Sequence, residues 1–450
     1  MTEPMGPVGM GSAIGHPGPV PKACDVVVVG GGIIGVMTGW FLQQRGLKAV
    51  VIEKGRIAGE QSSRNWGWIR QQGRDFAELP IMMESLRLWQ GFALRLPGLG
   101  FRQEGVMYLA RTPEEMRGFE AWADVARGEY GLDVGLQSPA QVYERIAEAS
   151  APWVGGLFTA SDARAEPWVA VPLLARAAAA EGLAVVENCA VRRLDVQRGR
   201  VKGVFTEQGR IACDQVVVAG GAWSSLFLAA HGVKIPQLSV LASVAATVPM
   251  PEVFAGNAAD DRFAFRRRED GGYTLAPGAH HDFFIGPDAF RHFWPFVRML
   301  KADFRKTKFR MRAPEGFPDA WGTARAWGGD EVSPFEAVRV LDPKPNMKAL
   351  ARVQDDFARA FPKLGRPEIK AAWAGMIDTI PDVVPVIDRV ERLPGLVIAT
   401  GMCGHGFGIG PGVGRVVADL VAGNKVGHDL GRFRLSRFTD GTRLVPGPSL

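Results

Sequence analysis

The 450-residue sequence predicts an α/β protein of two interleaved lobes: a Rossmann-like nucleotide-binding domain and a mainly antiparallel α+β substrate domain. Three observations carry this expectation. A β-branched run followed at once by glycines opens the chain, a second strand-to-glycine junction recurs at 215–222, and a third βα block closes the chain with "GMCGHGFGIGPGVG" at 401–414. Between these blocks, residues 98–162 and 236–370 have a different texture, richer in Arg, Pro and aromatics. The nucleotide-binding domain is therefore expected at 23–97, 163–235 and 371–450, with the second lobe inserted twice. Residues 1–22, rich in Gly and Pro and without the charged-then-apolar order of a secretory signal, are expected to form a disordered leader.

In chain order, Val26 to Val29 suit a strand buried on both faces of a parallel sheet. A helix is expected over 33–45, stopped by Gly46, and a second strand over 49–52, ending at Glu53. Gly30, Gly32 and Gly35 keep the GxGxxG spacing, which permits a tight turn, close approach of a pyrophosphate to backbone amides, and close helix–strand contact. Glu53 follows where a carboxylate accepts both ribose hydroxyls, and it argues against a 2′-phosphate. Further along come a helix, short strands turning at "QRGR" and "EQGR", and a strand leading into Gly220. A hairpin is expected with "RFAFRRR" and "YTLAPG" on either side of "EDGG". At the C-terminal end the strand "GLVIA" runs into the glycine motif, and "RVVADLVAG" reads as the helix after it.

Composition bounds the function. Apolar residues make up 47% of the chain, enough for a sizeable core, and the net charge of +6 favours anionic small molecules over nucleic acid. No apolar run is long enough for a transmembrane helix. Cys24, Cys189, Cys213 and Cys403 stand singly, which gives neither a metal cluster nor a disulfide framework and fits a cytoplasmic setting. The stretch 290–312 interleaves aromatics with eight Arg or Lys residues. It has two readings: a peripheral membrane or quinone-access patch, or an amphipathic helix packing its aromatics on a sheet, the ordinary case.

Four motifs then resemble one family. "DVVVVGGGIIG" with Glu53, "SSRNWGWIR" at 62–70, "VVVAGGAWS" at 216–224 and "GHGFGIGPGVG" at 404–414 are similar, in order and spacing, to the FAD-dependent D-amino-acid oxidase, glycine oxidase and sarcosine oxidase family. The resemblance implies an extended FAD with its ring at the junction of the lobes. By it, Gly30, Gly32, Ile33, Ile34 and Gly35 line the pyrophosphate, Glu53 and Lys54 flank the adenosine ribose, and the backbone of Val191 pairs with the adenine. Ser62, Ser63, Arg64 and Asn65 pass beneath the flavin linker. Ala219, Gly220, Trp223, Gly375 and Met376 belong to the same cofactor set. Gly404, His405, Gly406, Phe407 and Gly408 lie against the ring, with the helix after Gly414 aimed at it. The implied chemistry takes a hydride equivalent from the carbon beside an amine to flavin N5, after which the imine hydrolyses.

The sequence also departs from that family. Gly375 and Met376 stand where sarcosine oxidases carry the cysteine that attaches the flavin, so the FAD is expected to be non-covalent. Ile377, His405 and Gly408 replace the usual cationic anchors for a substrate carboxylate. Arg70 is the first candidate to take over that role, with Tyr273 and His405 behind it. Trp66 and Trp68 either wall the pocket or serve as packing. The expected substrate is a small anionic amine, such as sarcosine, iminodiacetate or a D-amino acid, with O2 or a quinone or other electron carrier as acceptor. The alternatives are a 2-hydroxy-acid dehydrogenase, or the flavin-bearing subunit of a hetero-oligomeric amine or opine dehydrogenase.

Overall fold

The Val26–Val29 strand lies inside a six-stranded sheet, because its unbroken valines tolerate burial on both faces. This computed structural model describes residues 6–278, 281–303, 307–314 and 316–447. Val26–Val29 pairs in parallel with Ala49–Ile52 on one side and Gln215–Val218 on the other. Ala184–Val186 extends the sheet beyond Ala49–Ile52. At the opposite end, Leu396–Thr400 runs parallel to Gln215–Val218, and Val386–Arg389 closes the edge antiparallel. Strands distant in sequence thus bring their C-terminal ends to one line, where such sheets bind ligands.

The second lobe is built on Leu238–Thr247, which pairs antiparallel along its whole length with Ile369–Thr379. The hairpin forms as read, from Phe263–Arg267 and Tyr273–Pro277. Packed against this mainly antiparallel sheet is an aromatic core that includes Phe263, Phe265, Phe357 and Phe361. The Ile369–Thr379 strand belongs to this sheet, so the last return to the nucleotide-binding layer comes after residue 379 rather than at 371. Its near-continuous apolar run, "AAWAGMI" at 371–377, suits either sheet, which is why sequence texture placed the boundary too early.

Three further expectations need correction. Within the leader, residues 6–22 are not disordered, while residues 1–5 lie outside the described residues. The Gly15 and His16 amides donate to Glu187 Oε2 at 2.5 and 2.8 Å, Val8 N–H donates to Ser63 Oγ at 3.1 Å, and Arg56 Nε donates to the Ser12 carbonyl at 2.8 Å. A composition poor in apolar residues still orders when its backbone donors meet a buried carboxylate. Next, the C-terminal helix spans Gly406–Ala422 and so begins inside the glycine motif, not after Gly414. Last, the stretch 290–312, apart from residues 304–306, which lie outside the described residues, does not turn its aromatics inward. Phe290, Phe293 and Trp294 are exposed, Trp294 to 83%, whereas Phe296 is buried. Among the described residues, no helix is long and apolar enough to cross a membrane.

Candidate active site and cofactor cleft

Two helix N-termini and the ends of four strands of the parallel sheet surround one cleft. The helices are Ile33–Gln44 and Gly406–Ala422, and neither carries an acid in its first turn. Both therefore aim unpaired amide N–H groups and a positive dipole end at the cleft, a setting for phosphate and for an electron-rich ring.

At the first helix, Gly30, Gly32, Ile33 and Ile34 line the cleft. Gly35 does not; a Cβ there would run into the Gly30 carbonyl, so this glycine serves the helix–strand approach instead. Ser62 Oγ accepts from the Ile33 amide at 2.9 Å and thereby fixes the loop to the helix start. Glu53 ends its strand with Oε2 accepting from Gly31 N–H and Oε1 from Gly55 N–H, each at 2.7 Å. Burial pushes its carboxyl up to about 6. Lys54 pairs with Glu60 at 2.6 Å and lies 4.3 Å from the centre of the Trp223 ring. Val191, Ala219, Gly220 and Trp223 also line the cleft.

The loop at 62–65 divides. Ser62 and Asn65 face the cleft, while Ser63 and Arg64 turn away, contrary to expectation. Ser63 receives the leader, and Arg64 Nη1 binds Asp342 at 2.6 Å and the Ala374 carbonyl at 3.0 Å. Gly375 likewise leaves the cleft, because its α-carbon packs on Gln61 and Arg64; its neighbour Met376 remains on the wall. Gln61 also lines the cleft, and its buried, unpartnered Oε1 lies against the Gly375 α-carbon.

At the second helix, Gly404, Gly406 and Phe407 line the cleft and Gly408 does not. The Gly408 carbonyl accepts from Ser85 Oγ at 2.7 Å and Trp89 Nε1 at 2.9 Å, and its bare α-carbon faces the Ile69 and Arg70 backbone. Gly410, Gly412 and Gly414 face Ile33, Ile81 and Met37 in turn. From Gly408 onward the glycines therefore serve close helix packing, while the exposed backbone at Gly404 and Gly406 serves the cleft.

A cleft with a pyrophosphate-type turn, a ribose-side acid and a second helix N-terminus at its far end fits an extended flavin dinucleotide. Residues 25–420 match the family model described as FAD dependent oxidoreductase. The chain belongs to that family. It is an FAD-dependent enzyme. The L-amino acid deaminase of Proteus myxofaciens, solved in complex with anthranilate, superposes with a TM-score of 0.91 at 29% identity, covering 96% of this chain and 98% of that one. Sarcosine oxidase subunit beta of Rhizobium meliloti is 25% identical over 435 residues, 95% of this chain and 91% of the relative. Mitochondrial sarcosine dehydrogenase of Mus musculus is 23% identical over 440 residues, 95% of this chain. The chain spans only 43% of that dehydrogenase's length.

The substrate-side candidates separate. Tyr273 is fully buried among Phe265 and Phe357, and its hydroxyl accepts from Val253 N–H at 2.8 Å, so it is a core residue and not a site residue. Trp66 and Trp68 pack edge to face at 5.4 Å, with Trp68 extending toward Tyr108. Arg70 remains: its guanidinium sits 5.5 Å from the Tyr108 ring centre and donates to the Gln72 carbonyl. His405 caps the second helix between Gly404 and Gly406, with Nδ1 3.4 Å from Glu78 Oε2. Burial first, then the nearby Arg74 and Arg70, hold its imidazole well below the ordinary histidine range. His405 is thus a neutral hydrogen-bonding group and not a replacement cation. Arg74 and Glu78, both buried beside it, escaped the sequence reading. Their signal was the polar spacing of "RQQGRDFAE", directly after the loop already singled out.

Proposed function

We propose that this chain oxidises the C–N bond of a small carboxylated amine. The observation that carries the reading is the group of buried Arg74 and Glu78 with half-buried Arg70 and His405 next to the glycine end of the cleft, where positive charge and a neutral imidazole adjoin the second helix N-terminus. When bound, FAD supplies the two-electron acceptor for the hydride equivalent leaving the carbon beside nitrogen. The residues position: Arg70 offers a guanidinium for the carboxylate, and His405, kept neutral, does not repel an incoming cationic amine. The amide N–H groups at Gly406 stabilise negative charge gathered at that end of the cleft. Hydrolysis of the imine product completes the reaction.

Non-covalent attachment is supported by the residues beside the ring end. Gly375 and Met376 provide no nucleophile, and Cys403, pushed well above the ordinary thiol range by burial, keeps its proton and donates to the Gly401 carbonyl. Acid precipitation should release all the yellow chromophore into the supernatant. The match to a sarcosine oxidase beta subunit favours a second reading, in which the chain is the flavin-bearing subunit of a larger assembly.

One experiment separates these. The FAD-loaded protein is mixed anaerobically with sarcosine, iminodiacetate, amino acids of both hands and 2-hydroxy acids, and its visible spectrum is followed before and after air is admitted. Bleaching by an amine supports the proposal, and recolouring in air assigns O2 rather than a quinone or other carrier as acceptor. Bleaching by hydroxy acids alone overturns it. Bleaching only after a partner protein is added selects the subunit reading.

A further inference from the structure

We propose that Gln72, Arg74 and Glu78, with His405, form a clamp for both ends of an α-amino acid: Arg74 and the Gln72 amide take the carboxylate, and Glu78 accepts a hydrogen bond from the adjacent amine. This rests on the amine-oxidising reading above and goes beyond it by adding Gln72 and by assigning Arg74 and Glu78, which that reading only sets beside the cleft, to opposite ends of the substrate.

The geometry is that of an unfinished network. Gln72 is fully buried, and its Oε1 accepts from Thr159 Oγ1 at 2.8 Å, which turns the amide nitrogen the other way; Nε2 has no partner. Arg74 is 2% exposed, its Nε donates to the Arg70 carbonyl, and its Nη1 has no partner. Among the described residues, no carboxylate comes within ion-pair distance of it. Glu78 is fully buried, with Oε2 facing His405 Nδ1 and Oε1 without a partner. Asp162, the other nearby acid, spends its oxygens on the Gln71 and Gln72 amides at 2.7 and 3.2 Å and on the Gln71 side chain.

Buried polar atoms are almost always paired, and a buried guanidinium and carboxylate that feel each other's charge without closing an ion pair are the more unusual. Here two N–H donors and one carboxylate oxygen lie unpartnered within residues 72–78. A ligand carrying a carboxylate and an N–H as close neighbours, as an α-amino acid does on its Cα, satisfies all three, whereas either group alone leaves one side open. The charge states agree. Burial and the neighbouring Arg70 bring Arg74 down to about 9, and burial brings Glu78 up to about 7, so each is poorly stabilised until an opposite partner arrives. His405, between the cleft-lining Gly404 and Gly406, ties the clamp to the cofactor cleft.

Three probes share one ring and differ only in these groups: anthranilate carries both, benzoate only the carboxylate, aniline only the amine. Their binding to FAD-loaded protein is read from the perturbed flavin spectrum, without turnover. Wild type should bind anthranilate at least tenfold more tightly than benzoate or aniline. Glu78→Gln should remove that advantage over benzoate and leave benzoate itself unchanged. Arg74→Lys should weaken anthranilate and benzoate alike, by tenfold or more. Gln72→Glu, which sets a like charge against the carboxylate, gives the same result should Arg74→Lys fail to load FAD. Wild-type affinities in Glu78→Gln and Gln72→Glu, or no preference for anthranilate in wild type, overturn the clamp. Those outcomes leave the amine reading standing if amines still bleach the flavin; bleaching by hydroxy acids alone sinks the amine reading independently of the probes.

Discussion

Replacing Gly414 by alanine perturbs the crossing of the two helices whose N-termini form the cleft. A Cβ at that position would stand 2.5 Å from Met37 Cβ, 2.7 Å from the Met37 carbonyl carbon and 2.8 Å from the Thr38 nitrogen. Non-bonded carbons need about 3.5–4.0 Å, so the Gly406–Ala422 helix must withdraw by about 1 Å. Two of the three obstacles are backbone atoms, and Met37 and Thr38 are fully buried, so no rotamer change relieves the clash. Overpacking of this kind costs about 1–3 kcal/mol. Better helix propensity returns roughly 1 kcal/mol, leaving a net loss of up to about 2 kcal/mol. Gly118 is the control, an exposed glycine inside the Pro113–Tyr130 helix with nothing within 4 Å of an added Cβ. The same substitution there should stabilise by about 0.5–1 kcal/mol. Unfolding midpoints of the FAD-free proteins should therefore move in opposite directions, and titration with FAD should show weaker binding only for Gly414→Ala. If Gly414→Ala unfolds at or above the wild-type midpoint together with Gly118→Ala, the close-packed crossing is refuted.

Other perturbations test neighbouring claims. Tyr273→Phe leaves the Val253 N–H without an acceptor and should cost about 1–2 kcal/mol of stability; a changed KM for any substrate that bleaches the flavin would return Tyr273 to the site. Glu78 titrates near 7 in the folded protein against an ordinary 4.5, so the folded chain binds more protons than the unfolded one between those values. The FAD-free protein should lose stability as pH rises from about 4.5 to 7, by on the order of 3 kcal/mol from this group, and Glu78→Gln should flatten that slope. An unchanged slope in the variant refutes the assignment. Removing residues 1–16 strips partners from Arg56, Ser63 and Glu187 and frees the loop between them. FAD affinity should fall by roughly tenfold, about 1.4 kcal/mol, and equal affinity by fluorescence titration would show the leader to be ornamental.

What could be read from the sequence follows the range of the interaction. The first βαβ unit was legible because its strand, turn glycines, helix and acid are contiguous, and each reports on a local requirement. The hairpin around "EDGG" was legible for the same reason. Gly408 was misassigned because what a glycine faces is set by chain hundreds of residues away: the same absence of Cβ opens onto the cleft at Gly404 and admits the Ile69 and Arg70 backbone at Gly408. The pairing of His405 with Glu78 was out of reach of any spacing argument, because Glu78 lies 327 positions earlier in the chain. Tyr273 carried the right functional group on the right hairpin, but alternation along a strand does not say which face meets the aromatic core. Ser62 and Ser63 are identical to a motif search, and only the helical turn Gln61–Arg64 sends one to the cleft and the other to the leader.

The order of strands in the parallel sheet also governs how the protein comes into being. Gln215–Val218 has one neighbour, Val26–Val29, available early in synthesis, whereas its other neighbour, Leu396–Thr400, leaves the ribosome near the end. Throughout elongation the growing chain carries an open, all-apolar β-edge, the kind that recruits other chains. The second helix N-terminus of the cleft emerges later still, so flavin capture is a post-translational event. Premature stops before residue 396 should consequently yield not a smaller yellow protein but an aggregating colourless one, and overexpression should be limited by chaperone supply before it is limited by flavin.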